Sequence, residues 1–237
     1  MPKYQLLVSD MDSTVAAGET IVDMADALGI GPKIAEITER SMRGELDFRQ
    51  ALEERVMMLR GLELSTIQHI AKEVGLSDGA HELLRACRTA GLRTVLVSGG
   101  FDLIADVVGA GLGFDRVVSN RLELEGEALS GKVVDPIVTA ETKESVLLAE
   151  CQGLRIEPAR AIALGDGAND IAMIRAAGLG VAYRGKPITR EAADLAFAVD
   201  RSMFGAAREK QRLVAVDLIR HGERRSAYPF KPRRHAD

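Results

Sequence analysis

The sequence predicts an α/β fold: a doubly wound, mostly parallel sheet with a small helical cap inserted after the first strand. Three observations predict it. Short apolar segments end in small or acidic residues, as buried strands do where they reach a sheet's rim. Helical patterns fall between those segments, and alternation of strand and helix favours a parallel sheet. Residues 16–75 then break the alternation with helical patterns and no strand.

Taken in order, "YQLLVSD" (4–10) reads as the first strand. The insertion follows, with helical patterns in "TIVDMADALG", "DFRQALEERVMMLRG" and "STIQHIAKEVG", and is placed over the sheet edge as a lid. "AHELLRACRTAG" (80–91) has apolar positions at helical spacing and a terminal glycine, a frequent helix stop. "RTVLVSGG" (93–100) is the second strand and "FDLIADVVG" the helix after it. Alternating residues and glycine-rich turns in "RVVSNRLELEGEALSGKVV" (116–134) predict a β-hairpin. "TKESVLLAECQGL" (142–154) and "NDIAMIRAAG" (169–178) read as helices flanking the strand "RAIALGDG" (160–167), and "LGVAY" (179–183) as a fourth strand. The expected domains are an α/β core from 1–15 and 76–206, a helical cap from 16–75, and a C-terminal extension at 207–237, partly helical and then a loosely ordered basic tail.

Composition narrows the function classes. At 237 residues and 46% apolar, the chain can bury a sizeable core. A net charge of −4 gives no electrostatic reason to expect a nucleic-acid partner. The opening apolar run is too short for a secretory signal, and no stretch approaches the roughly 18 apolar residues of a membrane helix. Cys87 and Cys151 lack metal-site or redox spacing and read as buried free thiols, which places the chain in the cytoplasm.

The chemistry begins at "LLVSDMDSTV" (6–15). In extended chain Asp10 and Asp12 point to the same side, and they stand at the carboxyl end of a strand, where open α/β sheets bind ligands. A single acid there would be an ordinary turn residue; the other strand ends argue against that reading. "VSGG" offers Ser98 and the amides of Gly99 and Gly100 ahead of a helix, a geometry that suits phosphate. "GDGAND" brings Asp166, Asn169 and Asp170, and an oxygen-only acidic cluster favours a hard cation, Mg2+ before Zn2+. Lys143, at a helix start, adds a compact positive charge. A phosphate meeting a carboxylate is repelled by about 4 kcal/mol per charge pair near 4 Å at an effective dielectric of about 20, so cations must offset it. Mg2+ and Lys143 would, leaving one carboxylate to attack phosphorus and the other to move protons. Neighbouring acids near one anion have their pKa values pushed apart, which suits that division.

"DMDST", "VSGG", Lys143 and "GDGAND", in this order over residues 4–185, resemble the motifs of the haloacid dehalogenase superfamily of phosphotransferases. The resemblance implies Asp10 as nucleophile and Asp12 as general acid/base. It implies Mg2+ held by Asp10, the backbone carbonyl of Asp12 and Asp166, with Asp170 close by. Ser98, Gly99 and Lys143 would hold the phosphate, assisted by Asn169. An acid at position 12 is similar to the phosphatases and unlike the ion-pumping ATPases, which carry lysine there. Within the superfamily, "DMDST…GET", "SGGF" and the short cap are similar to the phosphoserine phosphatases. That likeness places substrate recognition on Glu19 and Arg55, with Met42 and Phe48 lining the pocket, and implies O-phospho-L-serine as a small-molecule substrate for a monomer or homodimer with no nucleic-acid or membrane partner. A carboxylate for the ammonium and a guanidinium fork for the carboxylate fit phosphoserine. A phosphatase or phosphotransferase acting on another small phosphorylated metabolite is the alternative. A phosphoacceptor switch of the receiver type is disfavoured, because receivers lack both the second Asp and the lid. "GVAYRGKP" (180–187) fits most of a phosphate-binding loop but ends in Pro187 where Ser or Thr should hold the metal, and "RHGE" (220–223) leaves only 14 residues after it; both are set aside.

Overall fold

A computed structural model describes residues 3–42 and 45–197, with the backbone alone for Ser41 and Met42. Among these residues the sheet has seven strands: β1 (Leu6–Ser9), β2 (Arg93–Phe101), β3 (Arg116–Glu125), β4 (Ala128–Val134), β5 (Ala161–Gly165), β6 (Leu179–Tyr183) and β7 (Leu195–Phe197). Their order is β4-β3-β2-β1-β5-β6-β7, and every neighbouring pair is parallel except β3 with β4. The chain winds outward from β1 on one side and then crosses to β5 on the other. β1 is therefore the switch point, and ligands in such sheets bind beyond the carboxyl ends of the strands that meet there.

The helices are α1 (Thr20–Ala27), α2 (Gly31–Met42), α3 (Phe48–Met58), α4 (Leu64–Glu73), α5 (Ala80–Thr89), α6 (Asp102–Leu112), α7 (Ala140–Leu154), α8 (Ile171–Ala176) and α9 (Pro187–Ala192). They explain why β1 reads as an unbroken apolar run: both its faces are covered. Leu6 and Val8 pack with Leu147 and Cys151 of α7 and with Met173 and Ile174 of α8. Leu7, pointing the other way, packs with Ala86 and Cys87 of α5. Both cysteines are free and buried, and burial pushes the Cys87 thiol up to about 12. Among the described residues no helix is long and apolar enough to cross a membrane.

Among its described residues the insertion holds four helices, α1 to α4, where the sequence pattern predicts three. The missed one, α2, opens with Gly31-Pro32, which reads as a break. Proline in a first turn loses no helical hydrogen bond, because the N–H groups there have no intrahelical acceptor. The two ends of the insertion lie side by side: Ala17 N donates to Gly75 O at 2.8 Å and Ser77 N to Val15 O at 2.9 Å. Its helices share one apolar cluster with the sheet and α6, which holds Met24, Leu52, Val56 and Ile67 together with Phe101 of β2, Ile104 of α6 and Leu122 of β3. The predicted hairpin forms as β3 and β4, and it also braces the insertion: Leu64 N donates to Glu127 O and Leu129 N to Leu62 O, at 2.8 and 3.0 Å. α7 begins two residues earlier than its pattern indicates, because Thr139 caps it and pairs with Thr142 in a capping box. α9 and β7, of six and three residues, are too short to give a periodic signal. The 207–237 extension and the "RHGE" run lie outside the described residues.

Two glycines on α6 have opposite environments. A Cβ on Gly109 would collide with Val117 of β3, whereas one on Gly111 would meet nothing within 4 Å. Gly109→Ala is expected to lose about 1–3 kcal/mol by overpacking. Gly111→Ala is expected to gain about 0.5–1 kcal/mol from helix propensity. Urea denaturation of the two variants checks both signs.

Candidate active site

Asp10 leaves β1 at the switch point, its N–H bonded to Leu164 O of β5 at 2.8 Å. The chain then folds into a tight irregular turn over Met11–Val15, with Asp12 extended and Ser13 at φ 55. A non-glycine residue in that left-handed region costs of order 1 kcal/mol or more, so the surroundings must hold it. They do. Ser13 N donates to Gly18 O at 3.0 Å, and Ser13 Oγ donates to Glu19 Oε1 at 2.8 Å. Asp12 Oδ1 accepts from Thr20 N, the first residue of α1, at 2.9 Å. Asp12 therefore sits where a helix N-terminus welcomes negative charge, yet burial outweighs that bond and raises its pKa to about 6.

Behind this turn stands Lys143, in the first turns of α7 and 1% exposed. Its Nζ donates to Asp10 Oδ1 at 2.6 Å and to Asp170 Oδ1 at 2.7 Å. Burial works against the lysine's charge, but Asp10 and Asp170 outweigh it and hold the ammonium firmly protonated. Asp170 turns its other oxygen back toward the loop after β5, accepting from Asp166 N and Gly167 N at 3.1 and 3.0 Å. Gly165 makes room for that carboxylate, since a Cβ there would collide with it. One lysine cannot balance the acids gathered here. Burial raises Asp10 well above the ordinary carboxylate range, and burial together with Asp170 raises Asp166 to about 6.

Oxygens of Asp10, Asp166 and Asp170 lie within 4.8 Å of one another. Three converging carboxylates with an unbalanced charge and no sulfur or imidazole form a donor set that fits a hard divalent cation.

The site opens into a cleft of about 170 Å3 between the sheet rim and the inserted helices. Asp10, Asp12, Glu19, Phe48, Arg55, Gly99, Asp166 and Asn169, all singled out in the sequence, line it together. Ser98, Lys143 and Asp170 lie behind the wall, each no more than 1% exposed. Ser98 Oγ accepts from Gly100 N at 2.8 Å. The backbone of Met42 ends α2; its side chain lies outside the described residues. Arg55 anchors its Nε on Ala51 O at 3.0 Å, and burial lowers its pKa while Glu19 acts to raise it. Gly100, whose amide the sequence offered to phosphate, also lines the cleft, and sequence reasoning missed Lys186 and Phe101, which line it too. Lys186 falls in the run set aside as a failed phosphate-binding loop. The usable signal was only that this run follows a strand end.

Lys143→Met would strip two buried carboxylates of their cation. In EDTA the variant is expected to lose about 3–5 kcal/mol of stability, and added Mg2+ is expected to raise its Tm more than it raises that of the unsubstituted protein. Differential scanning calorimetry decides; an unchanged Tm in EDTA would contradict the role given to the ammonium.

Residues 7–175 match the haloacid dehalogenase-like hydrolase family. The chain is 40% identical over 190 residues to a phosphoserine phosphatase of Archaeoglobus fulgidus, covering 80% of this chain and 55% of that relative, so it spans about half of that protein's length. It is 42% identical over 199 residues to a phosphoserine phosphatase of Polaromonas sp., covering 81% of this chain and 84% of that one. A solved structure described as a phospho-aspartyl intermediate analogue of phosphoserine phosphatase superimposes with a TM-score of 0.77 at 33% identity, covering 83% of this chain and 94% of the other. With the strand-end acids, the buried lysine and a match over most of its length, the chain belongs to the haloacid dehalogenase-like hydrolases.

Proposed function

We propose that this chain is a Mg2+-dependent phosphoserine phosphatase, which hydrolyses O-phospho-L-serine to L-serine and phosphate through an aspartyl phosphate on Asp10, as in serine biosynthesis. The observation that carries the reading is the pairing of Asp10, fixed by Lys143 at 2.6 Å, with Asp12 on the same cleft wall. The identity with named phosphoserine phosphatases over about four-fifths of this chain supports the substrate. A cleft of about 170 Å3 also favours a small metabolite, being below the range of about 300–1,000 Å3 typical of drug-sized ligands. The buried free thiols support a cytoplasmic setting.

In this mechanism Lys143 engages one oxygen of Asp10 and the other attacks phosphorus as the bond to the seryl oxygen breaks. Asp12, raised to about 6 by burial, holds a proton more readily than an ordinary carboxyl and delivers it to that leaving oxygen. The resulting Asp12 carboxylate then takes a proton from water as the water attacks phosphorus, which releases phosphate and restores Asp10. Ser98, Gly99 and Lys143 are assigned to the phosphoryl oxygens, with Asn169 beside them. Mg2+, held by Asp10, Asp166, Asp170 and the carbonyl of Asp12, would supply the charge neutralisation that lets an anion approach a carboxylate. Glu19 and Arg55 are assigned to the ammonium and carboxylate of the serine moiety, with Phe48 and Met42 against its body.

Phosphate release across a panel of small phosphomonoesters tests this. O-phospho-L-serine is expected to give the highest kcat/KM, EDTA to silence the enzyme with recovery on Mg2+, and Asp10→Asn to abolish turnover while the fold survives. A better substrate elsewhere in the panel would reassign the enzyme within its family, and turnover by Asp10→Asn would remove the nucleophile.

Arg55→Ala is expected to raise KM for phosphoserine at least tenfold while changing KM for an aryl phosphate less than threefold, since a lost charge-assisted hydrogen bond is worth about 1.5–3 kcal/mol. Steady-state kinetics on the two substrates separate the outcomes; equal effects would mean that Arg55 does not read the carboxylate.

A further inference from the structure

Asn120 lies in the middle of β3, is fully buried at 0% exposure, and lines no part of the cleft. Its side chain nevertheless bridges two parts of the site. Nδ2 donates to Gly99 O at 2.7 Å, and Oδ1 accepts from Val138 N at 2.7 Å. Each bond meets backbone next to chemistry.

The carbonyl of Gly99 and the N–H of Gly100 belong to one peptide group. Asn120 holds its oxygen end, and Ser98 Oγ holds its nitrogen end at 2.8 Å. With both ends tied, the plane of that peptide cannot rotate, although two successive glycines would otherwise leave it free. The fixed orientation has a near neighbour, because a Cβ on Gly100 would stand 2.7 Å from Asp12 Oδ2. The second bond acts at the other wall. Val138 immediately precedes Thr139, the N-cap of α7, and Thr139 O accepts from Lys143 N at 3.1 Å. One buried amide thus ties the glycine-containing end of β2 to the helix start that carries Lys143.

We propose that Asn120 is a positioning residue for phosphoryl binding and transfer: it sets the spacing between the Ser98–Gly100 end of β2 and Lys143, without touching substrate. The inference rests on the proposed phosphatase reading. An asparagine is suited to the task because it offers one donor and one acceptor in a rigid plane. Asparagine to aspartate preserves shape and the acceptor, and replaces the donor facing Gly99 O with an acceptor.

The test compares Asn120→Asp and Asn120→Leu with the unsubstituted protein, in saturating Mg2+ and at least 15 °C below each variant's Tm. The readouts are the affinity for inorganic phosphate by calorimetry and steady-state kinetics on phosphoserine and an aryl phosphate. Asn120→Asp is expected to weaken phosphate binding about tenfold and to lower kcat/KM about 10- to 100-fold, since a misplacement near 1 Å can cost about 100-fold. The loss is expected to be equal on both substrates, because Asn120 does not reach the Glu19 and Arg55 end. Asn120→Leu is expected to lose at least as much. Lowered Tm with unchanged phosphate affinity and kcat/KM in the folded variants would overturn the inference and leave Asn120 a purely structural residue. A loss confined to phosphoserine would overturn it too. If the unsubstituted protein binds no phosphate and hydrolyses neither ester, the phosphatase reading itself fails, and this inference with it.

Discussion

The site depends on a buried ammonium shared by two buried carboxylates. Lys143 arrives from α7, Asp10 from the end of β1, and Asp170 from the loop after β5, so a single cation draws together three segments distant in sequence. Breaking such a cluster is far costlier than never burying it, because the remaining charges are left desolvated. The fold accepts the arrangement because the groups are geometrically pinned: Asp170 also accepts from two loop amides, and Asp10 is tied to β5 through its N–H. What one lysine leaves unbalanced is itself informative. Burial first, and neighbouring acids second, keep Asp12 and Asp166 raised to about 6, a condition that a divalent cation would relieve and that a phosphate without one would worsen.

Space around these charges is as tightly specified as the charges themselves. Side chains at Gly165 and Gly100 would occupy the volume taken by the carboxylates of Asp170 and Asp12. In each case the absence of a Cβ lets a carboxylate lie against a strand end, and the strand supplies a rigid wall. Rigid elements hold a reactive constellation to the fraction of an ångström that transfer chemistry demands. The buried Asn120 bridge extends the same logic one layer outward, from β3 to the end of β2 and to the approach to α7.

Much of this was legible in the sequence, and the boundary of legibility has a physical basis. Buried parallel strands are apolar throughout and end abruptly in polar residues, so β1, β2, β5 and β6 announced themselves and placed Asp10, Asp12, Ser98 and Asp166 at one rim. α2 was hidden because Gly31-Pro32 has the composition of a break, although a first turn tolerates both. α9 and β7 were hidden by shortness. Lys186 could not be chosen, since an exposed lysine carries no local sign that a cleft lies beside it. Asn120 was invisible for a different reason: its partners are backbone atoms at residues 99 and 138, a relation that exists only once β2, β3 and the start of α7 are side by side. Glu19 and Arg55 were reached through resemblance alone, as the insertion has many similar charges, yet both line the cleft.

The turn after β1 links chemistry to recognition more directly than the separate layers would imply. Asp12 accepts from the first N–H of α1, and Ser13 donates to Glu19, one residue before that helix. The proposed proton carrier and the proposed ammonium ligand therefore share one strained turn of the backbone, with Ser13 at φ 55 between them. Any displacement of α1 relative to the sheet must stretch the Asp12 bond or rotate that turn, and either changes the environment that raises the Asp12 pKa. Burial favours the neutral form of Asp12 and the Thr20 bond favours the charged one, so a displacement of α1 acts on the pKa through two opposed effects, of which burial is the larger. The placement of α1 and the proton affinity of Asp12 are thus linked, through the depth of burial and through the 2.9 Å bond from Thr20 N.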